Sequence, residues 1–162
     1  MNSQDEGSGA PAAGSTAQRM GNGAAMRPAE AYFAVGEQLY EGIEVFFAAP
    51  REPPAMAHAL LCASIVECLL KAYLCHRLDD GMAQDLAKML GNDLRRAWNN
   101  ARAEGLAFPD PAPRWLEALH RIHGSPYRLR HMHGFRGFDA PARRAMAIQI
   151  GQIMEAVRPF VR

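Results

Sequence analysis

The chain has 162 residues, of which 49% are hydrophobic and 22% charged, and its formal net charge is +1. This length suits one domain rather than two, and such a domain can fold without disulfides or a structural metal. The small net charge excludes a global field that would draw the whole molecule to nucleic acid or to a membrane surface.

Residues 1–27 contain no Ile, Leu, Val or aromatic residue. Such a segment buries too little apolar surface to offset the entropy lost on ordering. We therefore predict a disordered N-terminal tail over residues 1–27. The folded domain should occupy residues 28–162, because Pro28 is a favourable residue for the first turn of a helix.

The next two segments have the apolar spacing of helices. Over residues 29–48, apolar side chains recur at steps of three, four and seven, and prolines at 50, 53 and 54 end the pattern. A second helix is predicted over residues 55–77. Between positions 59 and 75 its clearly polar side chains are Ser64, Glu67 and Lys71. A helix that is apolar nearly all round is predicted to be the central helix of a bundle.

Capping residues and breakers divide the middle of the chain into shorter helices. Asp79 opens a third helix, and Gly91 ends it. Asn92 or Asp93 can cap a fourth helix, which stops at Gly105.

The last part of the chain is predicted to hold two helices separated by a loop. A proline-rich stretch leads to a fifth helix over residues 115–123, and residues 124–139 have no helical period. Asp139 can cap the final helix, with Pro141 in its first turn. No segment alternates with the period of a strand. We predict an all-α fold, an antiparallel helical bundle of five to six helices.

The three cysteines, Cys62, Cys68 and Cys75, fall in the apolar second helix. On a helix, Cys68 and Cys75 lie about 10 Å apart along the axis, which is too far for a disulfide. Free thiols are typical of a reducing compartment. No apolar stretch approaches the length of a membrane span, and the N-terminus has no signal-peptide pattern, so a cytoplasmic protein without a membrane partner is predicted.

The polar side chains of the central helix are the first candidate site. Glu67 and Lys71 are four residues apart in the orientation that favours pairing. One interpretation is a structural ion pair inside the bundle or at a dimer seam, where pairing avoids the cost of an isolated charge. The alternative is a catalytic carboxylate at Glu67.

Three segments together resemble the HEPN superfamily. Residues 63–74 read Ala-Ser-Ile-Val-Glu-Cys-Leu-Leu-Lys-Ala-Tyr-Leu, similar to the family's second helix. Residues 90–94 read Leu-Gly-Asn-Asp-Leu, similar to the start of a later helix, with Asn92 where those sequences usually have histidine. Residues 126–131 read Pro-Tyr-Arg-Leu-Arg-His, which resembles an element before the last helix. The resemblance implies an antiparallel bundle, frequently a homodimer, that acts as an RNase, a nucleotide-binding partner or a non-catalytic scaffold.

Arginine, histidine and aromatic residues are concentrated in residues 114–144. Basic groups beside aromatic rings on a glycine-containing loop can hold phosphates and stack on bases. We therefore predict RNA or nucleotide contacts from Tyr127, Arg128, Arg130, His131 and Arg136. The alternative is a solvated loop whose arginines cap helix ends and whose aromatic side chains pack on the bundle.

Arg128 and His133 also fit the Arg-x4-6-His pattern of catalytic HEPN RNases. In that role His133 would act as general acid or base on a ribose 2′-hydroxyl, and Arg128 would stabilise negative charge on the phosphate. Here the two residues precede Asp139 in the loop, whereas the family's motif lies at the start of the final helix.

Histidines 120, 123, 131 and 133 include two close pairs, but no cysteine or carboxylate is placed nearby to complete a zinc site. We predict neither a metal nor a cofactor. The sequence thus favours a homodimeric binding or regulatory module rather than an enzyme. A metal-independent RNase is the first alternative, and a structural partner of a nucleotidyltransferase or a toxin is the second.

Overall fold

The computed structural model describes residues 25–51, 54–109, 111–124 and 142–162. These residues form six helices, and no strand occurs among them. The helices are α1 (Pro28–Ala48), α2 (Ala55–Cys75), α3 (Asp80–Leu90), α4 (Leu94–Ala103), α5 (Arg114–His123) and α6 (Arg143–Val161). The all-α prediction is confirmed for this part of the chain, as is a helical bundle. The predicted tail up to residue 24 and the predicted loop after Gly124 lie outside the described residues.

Helix α2 is the centre of the bundle, as its composition predicted. It contacts α1, α3, α4, α5 and α6. Ile65, Val66, Leu69 and Leu70 on this helix are fully buried. Because every neighbour packs against it, α2 can be apolar on most of its circumference.

The expectation that no segment reaches the length of a membrane span is wrong for α2. Its 21 residues are long and apolar enough to cross a membrane, and they form the one described helix that passes this test. Glu67 and Lys71 do not lower the mean hydropathy of the helix enough to exclude it. In the bundle, 56% of the apolar window is buried, which agrees with a core position.

The predicted helix boundaries are confirmed where a side chain or a glycine sets them. The Asp79 carboxylate accepts a hydrogen bond from the Met82 amide at 2.9 Å, and Asp93 accepts one from the Arg96 amide at 3.0 Å. These are N-caps of α3 and α4. Gly91 has a φ of 53°, a conformation that favours glycine and ends α3.

The start of α6 differs from the prediction. The helix begins at Arg143, and its N-cap is Ala142, whose ψ of 104° is not helical. Asp139 and Pro141, which were expected in the cap and first turn, lie outside the described residues. No side chain caps α6, in contrast to α3 and α4, whose starts Asp79 and Asp93 cap.

Polar and aromatic contacts join α1 to α6 at one end of the bundle. Glu37 on α1 accepts hydrogen bonds from Arg158 at 2.5 Å and from Arg162 at 2.6 Å. Both guanidinium groups also lie over the Phe33 ring, at 5.3 and 5.6 Å from its centroid. These contacts fix the chain's last helix against its first.

Candidate functional site

A polar cluster of three side chains lies beside the core, where α2 meets the end of α5. The Glu67 carboxylate accepts a hydrogen bond from Lys71 Nζ at 2.5 Å and another from His123 Nε2 at 2.5 Å. The side chains of Glu67, Lys71 and His123 are 18%, 8% and 13% exposed. The predicted Glu67–Lys71 pair is therefore present and half-buried, and His123 completes it.

The helices explain why these three groups meet. Glu67 and Lys71 are one turn apart on α2, so their side chains lie on one face. Leu119 and Ile122, buried on α5, hold the last turn of that helix against the core. His123 follows directly. The third polar residue of the predicted set, Ser64, does not join the cluster, because its hydroxyl donates to the Leu60 carbonyl at 3.1 Å.

The charges of the cluster balance one another. Burial raises the pKa of Glu67, but the hydrogen bonds from His123 and Lys71 outweigh it, so the pKa lies below its usual value. An ionised carboxylate only accepts hydrogen bonds, so His123 Nε2 carries the proton in this contact. Each carboxylate oxygen already has a donor. The cluster thus joins α5 to α2 through hydrogen bonds to both oxygens of Glu67.

Gly124 fixes the point where the chain leaves α5. Its amide donates to the His120 carbonyl at 2.7 Å, and a Cβ at this position would lie 2.7 Å from that oxygen. A side chain does not fit there without displacing backbone. Helix α5 therefore ends directly beside the Glu67–Lys71–His123 cluster.

Helix α6 begins beside an earlier part of the α1–α2 pair. Arg144 lies 5.7 Å from the centroid of the Phe47 ring, and Phe47 in turn packs against the buried His58 at 5.5 Å. His58 is nine residues before Glu67, about 13 Å along the helix axis. Both flanks of segment 125–141 thus lie along the α1–α2 pair.

The other predicted contact residues fall in that segment. Tyr127, Arg128, Arg130, His131, His133 and Arg136 lie outside the described residues. Their predicted roles in ligand binding and in RNase chemistry remain predictions.

The two described histidines of the basic stretch contact different carboxylates. His123 binds Glu67, whereas His120 Nδ1 lies 3.6 Å from Asp93 Oδ1. No group of three or more metal-ligating side chains occurs in the described ranges. Among the described residues, His123 thus contributes to the α2–α5 contact and His120 to the α4–α5 contact.

A histidine–cysteine contact on α2 was missed at the sequence level. The Cys62 thiol lies 3.8 Å from the His58 ring nitrogens, and both residues are buried. Burial raises the pKa of Cys62 to about 12 and that of Cys68 to about 11. Burial also lowers the pKa of His58, with Arg143 adding to the effect. Both groups are neutral near pH 7, so this contact does not supply a thiolate nucleophile. The four-residue spacing of His58 and Cys62 was the available signal.

Comparisons of this chain with protein-family models, with curated proteins and with solved structures found no match. The HEPN resemblance therefore rests on the sequence pattern.

Proposed function

We propose that this chain is a HEPN-like, homodimeric binding or regulatory module that binds RNA or a nucleotide through the basic segment between α5 and α6. The observation that supports this proposal most directly is the 2.5 Å contact between His123 and Glu67. It joins the two features that the sequence singled out, the Glu67–Lys71 pair of the central helix and the region of residues 114–144 that is rich in arginine and histidine.

The flanks of the basic segment support this proposal. One flank is held by the Glu67–Lys71–His123 cluster, and the other carries Arg143 and Arg144 beside His58 and Phe47. A segment tied at both ends to a rigid helix pair loses less entropy when it binds a ligand than a free tail does. Its arginines and Tyr127 are the residue types that bind phosphates and stack on bases.

The position of the motif residues supports the HEPN-like part of the proposal. Glu67 and Lys71, which match the family's second-helix pattern, lie on the helix that contacts the five other described helices. The proposal includes the family's antiparallel helix arrangement and its homodimer.

A binding role accounts better than catalysis for the chemistry of the described residues. Both oxygens of Glu67 have hydrogen-bond donors, and the thiols of Cys62 and Cys68 are protonated near pH 7. These groups stabilise the bundle beside the segment. They are not poised to attack a substrate.

Fluorescence anisotropy with labelled single-stranded RNA, with ATP as competitor, tests the proposal. We expect wild-type protein to bind at low salt and the double variant Arg128→Ala/Arg130→Ala to lose at least about tenfold in affinity, since it lacks two phosphate-binding groups. The matched control is Arg77→Ala/Arg96→Ala, which removes the same charge from exposed positions on α2's C-terminal side and on α4. Equal losses in both double variants would show that only net charge matters and would contradict the proposal.

The same samples separate binding from the RNase alternative. A metal-independent RNase using Arg128 and His133 would cleave the RNA in EDTA, and His133→Ala would abolish cleavage. Our proposal predicts intact RNA in the bound complex. ATP competition distinguishes a nucleotide site from one that needs a longer strand.

A further inference from the structure

A second candidate site lies away from the basic segment, between α4, α5, α6 and the α4–α5 connection. It is a cavity of about 310 Å³, within the size range of small-molecule sites. Its walls include Trp98 from α4, Phe108 from the connection, Trp115 from α5, and Gln149, Gln152 and Ala156 from α6. Four separate parts of the chain thus converge on one space.

Three aromatic rings give the cavity two surfaces at right angles. The Trp98 and Phe108 rings are stacked, with centroids 4.1 Å apart and an interplanar angle of 19°. Trp115 meets Trp98 edge-on at 6.1 Å and 89°. A flat ligand parallel to one surface is therefore perpendicular to the other, so it can stack on one ring and make an edge contact with the next.

The polar side chains that line the cavity are neutral. Trp115 Nε1 donates to Gln149 Oε1, which turns the amide so that its NH2 group is left as a donor. Trp98 is 1% exposed, and its Nε1 has no acceptor among the described residues. Because that nitrogen has almost no accessible surface, a ligand in the cavity does not reach it, and the donor within reach is the Gln149 amide. No charged side chain in the described ranges lines the cavity.

We propose that this cavity binds a neutral, planar aromatic molecule that carries a hydrogen-bond acceptor such as a carbonyl oxygen. The ring would stack within the aromatic walls. The acceptor would take a hydrogen bond from the Gln149 amide. This site is distinct from the proposed RNA or nucleotide site, and neither depends on the other.

The chain is well suited to a direct test, because it contains two tryptophans and both line the cavity. The ¹H–¹⁵N spectrum of labelled protein should show two indole N–H cross-peaks, which Trp115→Phe assigns. The probes are 1-indanone and indane, which share a flat two-ring shape and differ in the carbonyl. We expect 1-indanone to shift the Trp98 and Trp115 cross-peaks saturably. Indane should bind about fivefold more weakly, the factor that one neutral hydrogen bond contributes.

Two variants locate the binding site. Ala156→Phe fills the cavity and should abolish the 1-indanone shifts, whereas Ala145→Phe, on the exposed surface of the same helix, should preserve them. If Ala156→Phe does not fold, Gln152→Phe obstructs the cavity from an exposed position.

Three results would overturn the proposal. They are unshifted indole cross-peaks with 1-indanone, equal affinities for 1-indanone and indane, and unchanged 1-indanone binding in a folded cavity-filling variant.

Discussion

Glu67 is a largely buried carboxylate with hydrogen-bond donors on two helices. It pairs with Lys71 on its own helix and with His123 on α5. Removing its charge leaves an 8%-exposed ammonium without its counter-charge. An uncompensated charge of this kind costs more than the intact pair contributes.

We therefore expect Glu67→Gln to lower the free energy of unfolding by about 1–3 kcal/mol, measured by urea denaturation. The control is Asp85→Asn, which breaks the exposed Asp85–Lys88 pair and should change stability little. Adding Lys71→Met to Glu67→Gln should recover part of the loss, because the buried ammonium is then gone too. A Glu67→Gln variant as stable as Asp85→Asn would contradict this account.

His58 gives the bundle a dependence on pH. Burial lowers the pKa of His58, so below about pH 6.5 the unfolded chain takes up a proton more readily than the folded one. Stability should therefore fall as the pH is lowered through this range. Urea denaturation at about pH 7 and about pH 5.5 should show a smaller fall for His58→Leu than for wild type. Identical falls would mean that other groups carry the pH dependence.

At the residue scale, the sequence predicted local pairs better than distant ones. The Glu67–Lys71 contact follows from a four-residue spacing, which a helix converts directly into proximity. The Glu67–His123 contact spans 56 residues and depends on how α5 packs on α2. No local pattern specifies that packing.

The α1–α6 contact is close enough to be tested at one glycine. A Cβ on Gly151 would lie 2.5 Å from the Tyr40 hydroxyl, which donates to the Ala147 carbonyl at 3.2 Å. A methyl group at position 151 must displace that hydroxyl and break its hydrogen bond.

The prediction is a coupling between the two positions. Alanine favours a helix over glycine by about 1 kcal/mol, but in wild type the clash with Tyr40 opposes this gain. In a Tyr40→Phe background the hydroxyl is absent, so Gly151→Ala should be more favourable by about 1 kcal/mol. Thermal and urea unfolding of the four proteins in this cycle measure the coupling. Additive effects would mean that α1 and α6 do not approach in this way.

The sequence predicted helix boundaries where a cap lies next to its helix. Asp79 and Asp93 accept from backbone amides three residues ahead, so short-range chemistry sets those starts. The start of α6 was placed too early, since the helix begins at Arg143 after the non-helical Ala142. In its first two turns, Met146 and Ile150 are buried in the core.

At the scale of the molecule, the six described helices are organised around α2, and the composition of α2 alone predicted this. The cavity beside Trp98 had no such signal, because four distant parts of the chain form its walls. The oligomeric state likewise depends on surface contacts between chains, which local sequence patterns do not specify.

The proposed HEPN-like homodimer makes a prediction at this scale. Sedimentation equilibrium should give twice the mass of the chain at micromolar concentration, and dilution should shift the distribution towards the monomer. A monomer mass throughout the accessible concentration range would contradict the dimer. The RNA- or nucleotide-binding proposal would then be tested independently of the dimer.

The salt dependence of RNA affinity tests the central claim most directly. Each phosphate contact to a single strand contributes about 0.7 to the slope of log affinity against log salt concentration. The account predicts that Arg128→Ala/Arg130→Ala makes this slope shallower by about 1.4, while Arg77→Ala/Arg96→Ala leaves it unchanged. A slope that the first double variant does not alter, or no RNA binding at the lowest salt, would contradict the account.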